Sequence, residues 1–179
     1  MIATLLNTAI INISSVAAVA HIPFQAFYSA SKAAISSYSC ALDNEVKPYG
    51  IQVTAVELGD IHTGFTQARQ KVIVGDKEYG GRISRSVSQM EKDEQNGASP
   101  EVIGAYIAKI IEKKFFKPIC VAGAQYKFLS LLCKLLPCGL RGKIVGAICA
   151  ISIKKAARPV KDAPPFLRGR VRFLGVINS

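Results

Sequence analysis

Apolar positions along the chain fall into blocks of different period, and the period assigns each block. Ile10-Ile-Asn-Ile13 is a short β-branched run closed by Ser14 and Ser15, the pattern of a strand buried on both faces. Pro23 then breaks the chain in a loop. From Ala26 to Val46 neither glycine nor proline interrupts, and Ala30, Ala33, Ala34, Ser37 and Ala41 predict a helix that packs closely. Pro48-Tyr-Gly50 ends it, and Ile51-Gln-Val-Thr-Ala-Val56 reads as a second strand. Strand, helix and strand of these lengths form a right-handed βαβ crossover, with two parallel strands in one sheet.

Residues 57–98 are polar and contain glycine, with one helix expected near Ser84–Asn96; so long a connection is read as a lid over a substrate. Ser99-Pro-Glu101 opens a further helix, with the serine as N-cap and proline in the first turn. Val102, Ile103, Tyr106, Ile107, Ile110 and Ile111 follow helical spacing, and Lys113, Lys114 and Lys117 close the helix at its favourable dipole end. Ile119-Cys-Val-Ala122 and Gly123 read as a third strand and its turn. From Tyr126 to Ile153 the chain is rich in Leu and Ile. Lys127, Lys134 and Arg141 are seven apart there, with Pro137 between them, which predicts a kinked amphipathic helical segment. The uncharged run Ile144–Ile153 is too short to span a bilayer.

Composition narrows this picture. The chain has 179 residues, half of them apolar, enough for one domain with a real core. Met1–Ile13 has neither a basic leading region nor a cleavage site, so it reads as the approach to a strand and not as a signal peptide. The five cysteines form no C-x-x-C pair and have only His21 and His62 as partners, so no metal site is expected and a reducing, cytoplasmic setting is. Charge is uneven: 9 Lys/Arg face 11 Asp/Glu up to Glu112, but from Lys113 onward the ratio is 14 to 1. A solvated basic tail and an anionic membrane surface both fit that excess. Nucleic acid is not an expected partner, because no binding motif accompanies the charge.

Tyr28-Ser-Ala-Ser-Lys32 sets a phenol and an ammonium four apart on one helix face. A free tyrosine titrates near pH 10, too high for efficient proton exchange at neutral pH, and a nearby cation favours the phenolate. Tyr28 is therefore a candidate acid/base toward a carbonyl oxygen. Ser15, 13 residues earlier at a strand end, can hydrogen-bond the same oxygen. Such sites belong at the C-terminal ends of parallel strands.

A Tyr-x-x-x-Lys pair alone is a weak signal. Its surroundings make it specific: Ile11-Asn-Ile-Ser-Ser15, Tyr28-Ser-Ala-Ser-Lys32-Ala-Ala, Pro48-Tyr-Gly-Ile51-x-Val53 and Gly59-Asp-Ile-x-Thr63 follow in order at fixed separations. Over residues 9 to about 66 the chain resembles the short-chain dehydrogenase/reductase family. A looser resemblance to a bacterial branch of it runs on through Tyr79-Gly-Gly-Arg-Ile-Ser, Met90-Glu-Lys-Asp-Glu-Gln-Asn-Gly and Ser99-Pro100.

The resemblance implies an α/β fold. The chain would supply the C-terminal part of a Rossmann-like, doubly wound parallel sheet over 1–124, then an amphipathic helical extension over 125–154 and a basic tail over 155–179. It also implies an NAD- or NADP-dependent oxidoreductase that interconverts a secondary alcohol and a ketone. In that pattern Tyr28 is the acid/base, Ser15 orients the carbonyl, and Lys32 lowers the pKa of the phenol and binds the nicotinamide ribose. Gly59, Ile61 and Thr63 would line the nicotinamide carboxamide. Homo-oligomers through helix faces are a further expectation.

The family's glycine-rich phosphate-binding turn and its Asn-Ala-Gly strand are absent from this sequence. The expected deficit is on the order of a hundred residues. The helix that supplies a fourth catalytic residue, an asparagine, is missing or reduced to Met1–Thr8, and Asn7 and Asn12 do not occupy its place. Leu58-Gly59 replaces the usual Pro-Gly, which predicts a looser turn. Three functional readings stay open: the oxidoreductase, inactive as this chain alone; a non-catalytic remnant; and a membrane-surface module acting through 126–153. The alternatives for that segment are the family's dimer surface or a roof over the substrate.

Overall fold

The structure, a computed structural model, describes residues 8–68 and 75–149. The expected tail over 155–179 and the end of the extension lie outside them.

Three parallel strands form the sheet, in the order β1-β2-β3. β1 (Thr8–Ser15) and β2 (Ile51–Leu58) pair over their full length, from Thr8 opposite Ile51 to Ser15 opposite Leu58. β3 (Ile119–Val121) pairs with Ala55–Glu57. β2 is the centre, and Val53–Leu58 are all buried. Between β1 and β2 run a short helix α1 (Ala17–Ala20) and the long helix α2 (Ala26–Val46), followed by a 3₁₀ turn at Lys47–Tyr49. Gly50 leaves that turn at φ 74°, a conformation glycine adopts without a Cβ penalty.

After β2 come α3 (Phe65–Ala68), α4 (Arg82–Gln95) and α5 (Pro100–Ile111). Beyond β3 lie α6 (Ala124–Leu135) and α7 (Cys138–Ile148), separated at Pro137. The expected kinked segment is thus two helices. α5 begins where Ser99-Pro100 predicts, but Ser99 makes no hydrogen bond to a backbone N–H of the helix. Its hydroxyl bonds the Glu101 side chain instead, and that contact holds the Glu101 carboxyl below its ordinary pKa. Lys113, Lys114 and Lys117 fall outside α5, whose last turn carries Lys109.

Alternation along β2 sends neighbouring side chains to opposite faces. Val56 and Leu58 pack with Ile110 of α5 and Ala122. Glu57, between them, is fully buried on the other face, where it accepts from Ser36 of α2 at 3.5 Å and Ser130 of α6 at 3.3 Å. Helices therefore cover both faces, as in a doubly wound sheet. A second cluster joins Ala20 of α1, Cys133 of α6 and Val145 of α7, so the C-terminal helices share a core with the loop that follows β1.

α4 starts after Gly81 with no side-chain bond from that position. Asp76 supplies it: Oδ1 accepts from the N–H groups of Ile83 and Ser84 at 3.0 and 3.1 Å, and Oδ2 from the Ser84 hydroxyl at 2.5 Å. These bonds, those from Ser84 foremost, lower the Asp76 pKa.

Candidate active site

The C-terminal ends of β1 and β2 open into a cavity of about 660 Å³. Its floor brings together Ser15 at the end of β1, Tyr28 in the first turn of α2, and Gly59, Ile61 and Thr63 just beyond β2. All five are residues expected from the sequence. Lys32, one turn after Tyr28, does not line the cavity. Its Nζ lies 5.7 Å from the centre of the Tyr28 ring and donates to the Ile13 carbonyl at 3.1 Å. The ammonium is therefore fixed by strand β1 within electrostatic reach of the phenol ring. Ser15 Oγ accepts from the Ala17 N–H at 3.2 Å, which orients the serine at the start of α1.

The position of α2 comes from polar contacts with the sheet. Ser14 Oγ donates to the Lys32 carbonyl at 2.9 Å and is 2.8 Å from Ser36 Oγ. Asn12 Nδ2 donates to Ser39 Oγ at 2.9 Å, and Asp43 Oδ1 accepts from the Val53 N–H at 2.9 Å. Small hydroxyl side chains bring the helix close enough to hold Tyr28 beside Ser15, consistent with the small-residue pattern of this stretch.

The turn at Leu58-Gly59 is held tightly despite its missing proline. The Leu58 carbonyl accepts from the Val16 N–H at 2.9 Å, and the Ala98 N–H donates to the Asp60 carbonyl at 3.0 Å. Tyr126 of α6 seals it. Its hydroxyl donates to Asp60 Oδ2 at 2.7 Å and accepts from the Asp60 N–H at 3.1 Å. Its ring lies so close to Gly59 that a Cβ there would sit 2.1 Å from it. Glycine is required at this position by Tyr126, whatever else binds nearby.

Other lining residues had no role assigned from sequence. Asp60, Asp93 and Glu94 place carboxyl groups on the cavity wall. Asp93 Oδ1 accepts from Gln89 at 2.9 Å, and Glu94 Oε2 accepts from Thr66 at 2.5 Å. Burial raises the Asp60 pKa, the Tyr126 hydrogen bond opposes it, and the charges of Asp93 and Glu94 add to the rise. Burial likewise pushes Tyr126 up to about 12. The rest of the lining is largely apolar, including Val87 and Met90 of α4, Leu129 of α6, and Val145 and Ile148 of α7. The C-terminal helices thus roof the cavity, one of the alternatives the sequence left open. Asp93 and Glu94 lie within a stretch that resembles the bacterial branch, which was their only sequence signal. Tyr126 gave none, because its contact spans 66 positions.

The model of the short chain dehydrogenase family matches residues 4–73. A 3-ketodihydrosphingosine reductase from Bacteroides thetaiotaomicron is 48% identical over 107 residues, covering 59% of this chain and 40% of its own. Over these residues the chain is similar to the short-chain dehydrogenase family. An NADPH-dependent 1-acyldihydroxyacetone phosphate reductase from Schizosaccharomyces pombe is 41% identical over 54 residues, 30% of this chain and 18% of its own. In fold, the chain is similar to a short-chain dehydrogenase from Streptomyces avermitilis, with TM-score 0.54 and 22% identity, over 71% of this chain and 46% of that one. The chain spans less than half the length of each of these proteins.

Proposed function

We propose that this chain carries the catalytic and substrate-binding part of a nicotinamide-dependent reductase for a long-chain ketone with a neighbouring amino group. The observation that carries the reading is the convergence of Ser15, Tyr28, Gly59, Ile61 and Thr63 on one cavity at the C-terminal ends of parallel strands. Gly59, Ile61 and Thr63 would hold the nicotinamide end of NAD or NADP, and Lys32 its ribose. The chain has no glycine-rich turn for the pyrophosphate.

The dinucleotide, when bound, supplies or takes the hydride. Tyr28 gives its phenolic proton to the carbonyl oxygen in reduction and takes it back in oxidation. Ser15 donates a hydrogen bond to the same oxygen and stabilises the charge that grows on it. Lys32 favours the phenolate through its charge. The carboxyl groups of Asp60, Asp93 and Glu94 suit a substrate ammonium, and the apolar lining suits an alkyl chain. A 3-ketodihydrosphingosine, the compound in the name of the Bacteroides relative, has both features beside its ketone.

The test joins the N-terminal half of that relative to this chain and assays the chimera with a nicotinamide cofactor. Tyr28→Phe keeps the ring and should lower turnover by about 10²–10⁴-fold with cofactor affinity little changed. Ser15→Ala should lower turnover alone, while Lys32→Ala should damage both turnover and cofactor binding. Full turnover by Tyr28→Phe in an active chimera would refute the assignment. An inactive chimera that binds cofactor would favour the non-catalytic remnant.

A further inference from the structure

α6 is apolar on two sides. Tyr126, Leu129, Ser130 and Cys133 face the cavity and the core, as a helix on the sheet must. Phe128, Leu131 and Leu135 point the other way and are 69%, 57% and 74% exposed. Their spacing puts them on one stripe, which a helix facing only water does not carry. Lys127 and Lys134 border the stripe along one side on the same helix, and α7 adds the exposed Lys143. The two helices carry no acidic residue.

We propose that this face of α6 docks on an anionic membrane surface, with Phe128, Leu131 and Leu135 entering the headgroup–acyl boundary and the lysines at the lipid phosphates. Charge selects this occupant. A second copy laid on the same face would set Lys127 and Lys134 against identical cations, and the chain from Lys113 onward has 14 basic residues against 1 acidic. An apolar stripe with a cationic border is the composition that lies in a bilayer interface. No described helix is long and apolar enough to cross a membrane, so the contact is peripheral. The helix that lines the cavity would then also hold the protein at the phase in which an alkyl-chain substrate dissolves.

The test is flotation of the full chain with vesicles, because aggregates sink and bound protein rises. Recovery should be about tenfold greater with vesicles one-third phosphatidylglycerol than with pure phosphatidylcholine, and should fall with added salt. The double variant Leu131→Ser, Leu135→Ser should float about tenfold less at unchanged helicity by circular dichroism. The chain contains no tryptophan, so Leu131→Trp provides a lone reporter. Its emission should shift to the blue on anionic vesicles and be quenched by brominated acyl chains, while Val102→Trp, on the exposed face of α5, should not respond. Undiminished flotation of the double serine variant would overturn the proposal, since the basic charge alone would then suffice. Equal responses from the two reporters would overturn it too. So would a blue shift of the Leu131→Trp reporter that grows with protein concentration without lipid, which would make the occupant a second copy.

Discussion

Asp93 reaches the cavity from α4, where its carboxylate is oriented by Gln89 and stands with Asp60 and Glu94 on one wall. Three carboxyl groups around one space repel, and the raised pKa of Asp60 records this beside its burial. A bound cation relieves the repulsion, so removing one carboxylate should weaken binding of a charged substrate and leave a neutral one alone. In the chimera, Asp93→Asn should raise KM for an amino ketone about tenfold, with kcat nearly unchanged. The same ketone without its amino group should show no change. Equal KM values for the amino ketone in parent and variant would remove the ammonium from the reading. At this scale the sequence was legible where chemistry is local. Ser15, Tyr28 and Lys32 stood out because a fixed spacing along one strand and one helix carries their relation. Tyr126 did not, because only tertiary packing brings it to Asp60.

Elements followed the pattern closely where period and punctuation agreed. α2 runs from Ala26 to Val46, as the absence of Gly and Pro in that stretch predicts, and β2 extends the expected strand by two buried positions to Leu58. α1 was missed because four residues are too few to show a periodicity, and its Ala20 is buried against the roof helices. The start of α4 was misjudged by two residues, because its cap comes from Asp76, outside the usual N-cap position. That carboxylate has a depressed pKa, so its stabilisation is complete above the ordinary value of 3.8 and is lost as pH falls through the lower folded value. Asp76→Ala should therefore speed amide exchange in α4 at neutral pH while α2 keeps its protection. The difference between parent and variant should vanish in strong acid. Equal exchange in α4 at neutral pH would show that another group holds the helix start.

At the scale of the molecule, β1 pairs on one side only among the described strands, and Phe27 of α2 is 94% exposed. Tyr38 and Ile13 are exposed as well. An unpaired parallel strand with apolar side chains about it is a surface that proteins cover. Purified by itself, the chain should bind an apolar-surface dye, unfold without a sharp thermal transition, and leave NADH unbound in calorimetric titration. A cooperative transition from a dye-free monomer, or micromolar NADH affinity, would contradict this. The large-scale fate of the C-terminal helices was not legible, since apolar residues on α6 serve core and surface alike.

Phe24 has so far been only a lining residue, yet its backbone sits at φ 61°, with His21 at φ 53° three positions earlier. Such conformations disfavour non-glycine residues by roughly 1–3 kcal/mol each, and neighbours must hold them. For Phe24 the neighbours belong to the lid: Tyr79 meets its ring edge-on at 5.7 Å, and the Arg82 guanidinium lies 5.8 Å from its centre. Gln25 in turn bonds Met90. The loop entering α2 is thus a strained segment held by contacts from Tyr79, Arg82 and Met90. Loss of those contacts would free the stored strain and let the loop and the start of α2 shift together. The placement of Tyr28, four positions on, would then depend on the grip of a tyrosine and an arginine on one phenylalanine.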